Sequence, residues 1–152
     1  MSVYVIRPFE RRDGPAIAAL EQRCFSQPWS EQSLASELLN PLAVMRVAEL
    51  RGEAVGWAGM QAVCGEGSVT DIAVAPAARG LGIGTALTAA LCAEARRQKL
   101  SSLTLEVRVS NERAIALYER LGFRRLGVRP HFYALPREDA LMMCFLIEEE
   151  PA

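Results

Sequence analysis

Three strand-like runs, "AVMRVAEL", "EAVGWAGMQAV" and "SVTDIAVA", follow one another with almost nothing between them. Arg51-Gly52 joins the first two, and "CGEG" joins the second to the third. Connections this short suit antiparallel hairpins, whereas a parallel crossover needs a dozen or more residues. The middle of the chain is therefore expected to be an antiparallel block, and the other elements must pack around it.

Upstream, "VYVIRPF" reads as a short strand ending near Pro8. Asp13 is a possible N-cap with Pro15 in the first turn, and Ile17, Leu20, Glu21 and Cys24 follow at helical spacing. "FSQPWS" breaks that helix, and Ser30 can cap a second one through Leu34, Leu38 and Leu39, stopped at Asn40-Pro41. Downstream come a helix to about Lys99, the strand "SLTLEVRV", the helix "NERAIALYERL" with Gly122 as its stop, and two closing strands near Phe123–Arg129 and Ala140–Ile147. The order βααβββαβαββ predicts an α/β fold with a mixed, largely antiparallel sheet flanked by about four helices.

The 152 residues suit one domain over 1–152, with its core over about 3–147 and the tail "EEEPA" as a frayed end. A net charge of −1 argues against gripping nucleic acid by bulk charge. Arg7, Arg11, Arg12 and Asp13 interrupt any signal-peptide core, and no run approaches the ~18 apolar residues of a membrane span, so a cytoplasmic location is expected. Cys24, Cys64, Cys92 and Cys144 form no C-x-x-C pair, and His131 is the only histidine, so no metal site is predicted. The cysteines read as reduced, mostly buried thiols.

"AVAPAARGLGIGT" holds Gly80, Gly82 and Gly84 just before the best helix. Unpaired N–H groups at a helix start, bare glycine backbone and the charge of Arg79 together suit a phosphate or pyrophosphate. No lysine follows Gly84 as a P-loop would need, and the G-x-G-x-G spacing differs from a dinucleotide fingerprint. A merely flexible strand-to-helix connection is the competing reading.

In "SLTLEVRVSN", Leu103, Leu105, Val107 and Val109 alternate with Thr104, Glu106, Arg108 and Ser110. Glu106 thus faces away from its apolar neighbours, either as a general base or as part of a solvated face or an ion pair with Arg108. Ala114, Leu117, Tyr118 and Leu121 share a helix face that turns Tyr118 inward, as core or as a proton donor to a thiolate.

"IAVAPAARGLGIGTAL" followed by "LEVRVSNERAIALYERLGF" resembles the GNAT superfamily of acetyl-CoA-dependent N-acetyltransferases, over roughly Val3 to Ile147. Arg79, Gly82 and Gly84 meet its R/Q-x-x-G-x-G/A signature. "FSQPWS", "ALYERLGF" and "RPHFYALPREDALMM" are similar to its RimI-like branch, the bacterial ribosomal-protein alanine N-acetyltransferases. The resemblance implies acetyl-CoA as co-substrate. Ile72, Ala73 and Val74 would offer backbone to its acetyl and pantetheine end, and Arg79, Gly80, Leu81, Gly82, Ile83, Gly84 and Thr85 would hold the pyrophosphate. Asn111 would contact the cofactor, Glu106 would be the base and Tyr118 the acid. The implied partner is a protein or peptide N-terminus, such as that of a ribosomal protein, with Trp29 and Tyr133 on the acceptor side. Where the family often has an aromatic pair, this chain has Phe132-Tyr133, so one ring lacks a hydroxyl. A small amine as acceptor, a lysine side chain, and a non-catalytic acyl-CoA-binding module stay open as alternatives.

Overall fold

The computed structural model describes residues 3–147, so the "EEEPA" tail lies outside the described residues. The chain forms β1 (Tyr4–Pro8), α1 (Gly14–Cys24), α2 (Glu31–Leu38), β2 (Ala43–Leu50), β3 (Glu53–Val63), β4 (Glu66–Val74), α3 (Ile83–Arg97), β5 (Ser102–Arg108), α4 (Glu112–Leu121), β6 (Arg124–Ala134) and β7 (Arg137–Leu146). This is the element order read from the sequence. The strands make one seven-stranded sheet in the order β1-β2-β3-β4-β5-β7-β6. Every neighbouring pair is antiparallel except β4 and β5.

Both central hairpins turn on two residues with positive φ: Arg51 (53°) with Gly52 (80°), and Cys64 (51°) with Gly65 (80°). Two left-handed residues in a row match the right-handed twist of the flanking strands. The second connection is therefore only Cys64-Gly65, and β4 begins at Glu66, two residues earlier than expected from "CGEG". The last hairpin is also longer than expected. β6 continues through "RPHFYA" to Ala134 because its pairing with β7 shifts between Arg129 and Tyr133, where His131 takes a positive φ of 54°. The bulge absorbs residues that read as loop.

The core lies on both sides of this sheet. Ile83, Leu87, Leu91 and Ala95 along α3, with Val47, Ala58 and Met60 on the central strands, are buried. Leu103, Leu105 and Val107 are buried on β5 while Thr104, Glu106 and Arg108 are only partly so, the alternation expected of this strand. Ser30 caps α2 by accepting from Ser33 N–H. Asp13, by contrast, does not cap α1 with its side chain. Its carboxylate accepts from both Arg7 guanidinium nitrogens, each at 2.8 Å, and from Glu10 N–H at 2.8 Å. Two of the four thiols are buried, Cys92 and Cys144, whereas Cys24 is half-buried and Cys64 exposed, fewer than expected. Cys64 is outside because it sits in a hairpin turn. Among the described residues, no helix is long and apolar enough to cross a membrane.

One feature of the sheet creates the site. The parallel ladder of β4 and β5 holds only at Glu66–Ser102, Gly67–Leu103 and Ser68–Thr104. Beyond Ser68 the two strands part, and the rest of each has a backbone edge turned into the gap.

Candidate active site

The gap between β4 and β5 is open on two sides. Toward the start of α3 lies a cleft of about 480 Å³, lined among others by Val74, Arg79, Gly82, Gly84, Thr85 and Asn111. Toward the α1–α2 loop and the β6–β7 turn lies a second cavity of about 410 Å³, which Glu106, Tyr118, Tyr133, Trp29 and Asp71 line. Tyr118, Ile72, Asn111 and Cys24 border both. The two cavities therefore adjoin, and Tyr118 stands where they meet.

On the first side, the helix bond from Ala86 N–H to Gly82 O (3.0 Å) opens α3. The N–H groups of Ile83, Gly84 and Thr85 then have no acceptor within the helix. Gly82 needs its glycine because its φ is +84°. Gly84 is small for a different reason. A Cβ there would meet Leu117 Cδ1 at 3.5 Å and Val74 Cγ2 at 3.8 Å, so a side chain would fill the throat between α3 and α4. The expected cradle residues Arg79, Gly80, Gly82, Ile83, Gly84 and Thr85 all line this cleft, but exposed Leu81 does not. Arg113 and Arg120 on α4 join it, which the sequence reading missed. Bare backbone donors and three arginines fit a polyanion such as a pyrophosphate.

On the β4 edge, Ala75 N–H bonds to Val55 O at 2.7 Å, on the β3 side. Strand alternation turns the N–H of Val74 to the opposite edge, into the gap. Ile72 N–H is on that edge too, but it donates to Asp71 Oδ1 at 2.8 Å. Asn111 caps α4 by accepting from Ala114 N–H with its side-chain oxygen (3.2 Å), leaving its amide nitrogen for other contacts.

On the second side, Glu106 does not pair with Arg108. Its nearest cation is Arg129 across the sheet, at 3.8 Å. Arg108 instead holds the β6–β7 turn: it donates to Leu135 O (3.1 Å) and Pro136 O (2.9 Å), pairs with Glu138 (3.3 Å), and lies over the Tyr133 ring. Ser26, from "FSQPWS", donates to the same Leu135 carbonyl, so the two segments expected to flank the acceptor do meet over this cavity. Burial, with the charges that Asp71 and Tyr133 carry once deprotonated, pushes the Tyr118 phenol up to about 12. Tyr133 is likewise pushed up to about 12, mainly by burial. Both phenols keep their protons at neutral pH. Trp29 packs edge-on against Trp57, with ring centres 5.5 Å apart, so it contributes to the wall and to the core together.

Asp71 and Glu21 were not among the expected site residues. Glu21 is fully buried, and its carboxylate accepts from Trp29 N–H (3.0 Å) and Trp57 Nε1–H (3.1 Å). Asp71 is pushed up to about 9, first by burial and then by a hydrogen bond to Glu21 and its charge. Cys24, on the cavity wall, donates to Val74 O and lies near Arg79, yet burial raises its pKa, which disfavours a thiolate nucleophile.

The sequence profile of the acetyltransferase (GNAT) family matches residues 14–123. The chain belongs to the acetyltransferase (GNAT) family. GNAT acetyltransferases use acetyl-CoA as acyl donor. The chain is 37% identical over 144 residues to the [ribosomal protein bS18]-alanine N-acetyltransferase of Escherichia coli strain K12, covering 93% of this chain and 97% of that one. Its fold matches the crystal structure of the ribosomal-protein-S18-alanine N-acetyltransferase from Escherichia coli with a TM-score of 0.88 at 35% identity, over 98% and 97% of the two chains. A ribosomal-protein-alanine N-acetyltransferase from Brucella melitensis matches with a TM-score of 0.85 at 26% identity, over 94% and 99%.

Proposed function

We propose that this acetyltransferase moves the acetyl group of acetyl-CoA to the N-terminal α-amine of a protein, in particular a terminal alanine of a small-subunit ribosomal protein such as bS18. The observation that carries this reading is the pair of adjoining cavities, with Glu106 on the acceptor side and Tyr118 bordering both. The similarity to ribosomal-protein alanine N-acetyltransferases, at 37% and 35% identity, supports the same acceptor.

Acetyl-CoA supplies an activated thioester. The free N–H groups of Ile83, Gly84 and Thr85, with Arg79, Arg113 and Arg120, hold its phosphates, and Asn111 contacts its pantetheine arm. The α-amine enters past Trp29 and Tyr133. Its reference pKa of roughly 7.7–8 leaves it largely protonated at neutral pH, so a base must take a proton before it can attack. Glu106 does so, and Val74 N–H faces the negative charge that grows on the carbonyl oxygen. Tyr118 then gives its proton to the departing thiolate. Both substrates are bound together and transfer is direct; burial raises the pKa of the Cys24 thiol on the cavity wall, which disfavours it as a covalent carrier.

The contact between Ser26 and Leu135 narrows the acceptor mouth, and that favours a second reading, a small amine as acceptor. Thiol release separates the two when measured with an Ala-initiated peptide, the same peptide blocked at its N-terminus, and a polyamine. Turnover of the free peptide well above the others is expected. Preference for the polyamine overturns the α-amine reading.

A further inference from the structure

Below the acceptor cavity, Asp71 of β4 and Glu21 of α1 bring two carboxyl groups into hydrogen-bond contact. Among the described residues neither forms an ion pair. With Glu21 fully buried, Asp71 half-buried on the cavity wall and no cation beside either, two carboxylates in contact resist both being charged, so the pair holds one proton. Both Glu21 oxygens already accept N–H bonds, from Trp29 and Trp57, which leaves Asp71 to carry the shared proton. Asp71 then donates to Glu21 with one oxygen while Oδ1 accepts from Ile72 N–H. The result is a charge-assisted O–H···O⁻ bridge from α1 to the strand segment that carries Ile72, Ala73 and Val74.

We propose that Asp71 is a positioning residue for acetyl transfer: its proton-shared bridge to Glu21 fixes the cleft edge of β4, and transfer fails when that proton leaves. The proposal rests on the chain's being an acetyltransferase and not on which amine it acetylates. Asp71 touches neither reacting atom. It acts through Ile72, whose backbone it holds, and through Val74, two residues further along the same edge. The other charged or titratable groups around it share the cavity: Glu106 and Arg108 of β5, Tyr118 of α4, Tyr133 of β6 and Cys24 of α1. Arg108 is engaged by the β6–β7 turn and Glu138, and the two phenols stay neutral, so none of these cations or donors replaces the shared proton. Once it is lost, two like charges face each other between α1 and β4, and the edge must shift.

Asparagine copies the protonated acid, since its oxygen can accept from Ile72 N–H while its amide donates to Glu21. Alanine copies neither contact. Turnover of Asp71→Asn is expected to recover at least tenfold relative to Asp71→Ala, a gain that filling the space alone would not give. Wild-type kcat should fall about tenfold per pH unit beyond the titration of the pair, and the fall should vanish in Asp71→Asn. Infrared difference spectra between neutral and alkaline pH give a readout free of any acceptor. They should show a protonated carboxylic carbonyl band that is lost at alkaline pH in the wild type and is missing in Asp71→Asn. No such band in the wild type, or the same alkaline fall in wild type and Asp71→Asn, overturns the proposal. A failure to acetylate peptides with the band intact would instead count only against the α-amine reading.

Discussion

Gly84→Val separates the binding role of the glycine stretch from its folding role. Gly84 is the second residue of α3 and has helical backbone, so a branched residue meets no left-handed strain there. Its Cβ would stand in ordinary contact with Leu117 and Val74. Valine is a slightly better helix former than glycine, by a few tenths of a kcal/mol, which offsets the crowding of its methyl groups. Stability should therefore change by less than about 1 kcal/mol. The methyl groups, however, occupy the throat where a phosphate would reach the free N–H groups. A hydrogen bond to a charged group contributes about 1.5–3 kcal/mol, so losing one lowers acetyl-CoA affinity about 10- to 100-fold. Gly82→Val makes the contrast. At φ +84° a side chain costs roughly 1–2 kcal/mol, and its Cβ would meet the Tyr4 hydroxyl at 3.4 Å, so stability should drop as well. Calorimetric titration with acetyl-CoA, alongside urea unfolding, reads both quantities. A folded Gly84→Val protein with wild-type affinity would refute the cradle.

Glu106→Gln keeps the shape and removes the base, so turnover should fall by about 10²-fold or more with acetyl-CoA affinity unchanged; stopped-flow transfer rates and titration check the two separately. Tyr118→Phe should slow thiol release by about 10²-fold with little change in Tm, because among the described residues its hydroxyl makes no hydrogen bond. Arg108→Met frees the β6–β7 turn, so peptide KM should rise several-fold with the Kd for acetyl-CoA unchanged, as steady-state kinetics and titration would show. The raised pKa of Asp71 means that the folded chain keeps a proton the unfolded chain has released. Stability should then fall as pH rises from the ordinary carboxylate range toward about 9, by at most ~1.4 kcal/mol per pH unit. Urea midpoints of the wild type and Asp71→Asn across that range should diverge accordingly.

The sequence carried most of the fold because its signals were local. Two positive-φ turns, the Ser30 cap and Gly122 each set an element boundary within a few residues. The β6 bulge escaped notice because Pro130 reads as a strand end, whereas its register is set by β7 across the sheet. Glu106 stood out as a carboxylate in mid-strand, and Asp71 in "SVTDIAVA" had the same signature without being singled out. Glu21 stood in the apolar stripe of α1, a second overlooked signal. Their meeting could not be read from the chain, since it depends on how α1 packs over β4. The partner of Glu106 was likewise set by strand order: β7 brings Arg129 of β6 alongside, while Arg108 turns toward the last hairpin.

The most direct test is a peptide that begins with a free alanine and carries an internal lysine, incubated with acetyl-CoA and this protein, with fragment mass spectrometry to locate the added acetyl group. The α-amine has the lower reference pKa, roughly 7.7–8 against 10.4 for lysine, and so needs less help to lose its proton. Acetyl on the terminal alanine alone, abolished in Glu106→Gln, is the expected result. Acetyl on the lysine with the alanine untouched would contradict N-terminal transfer.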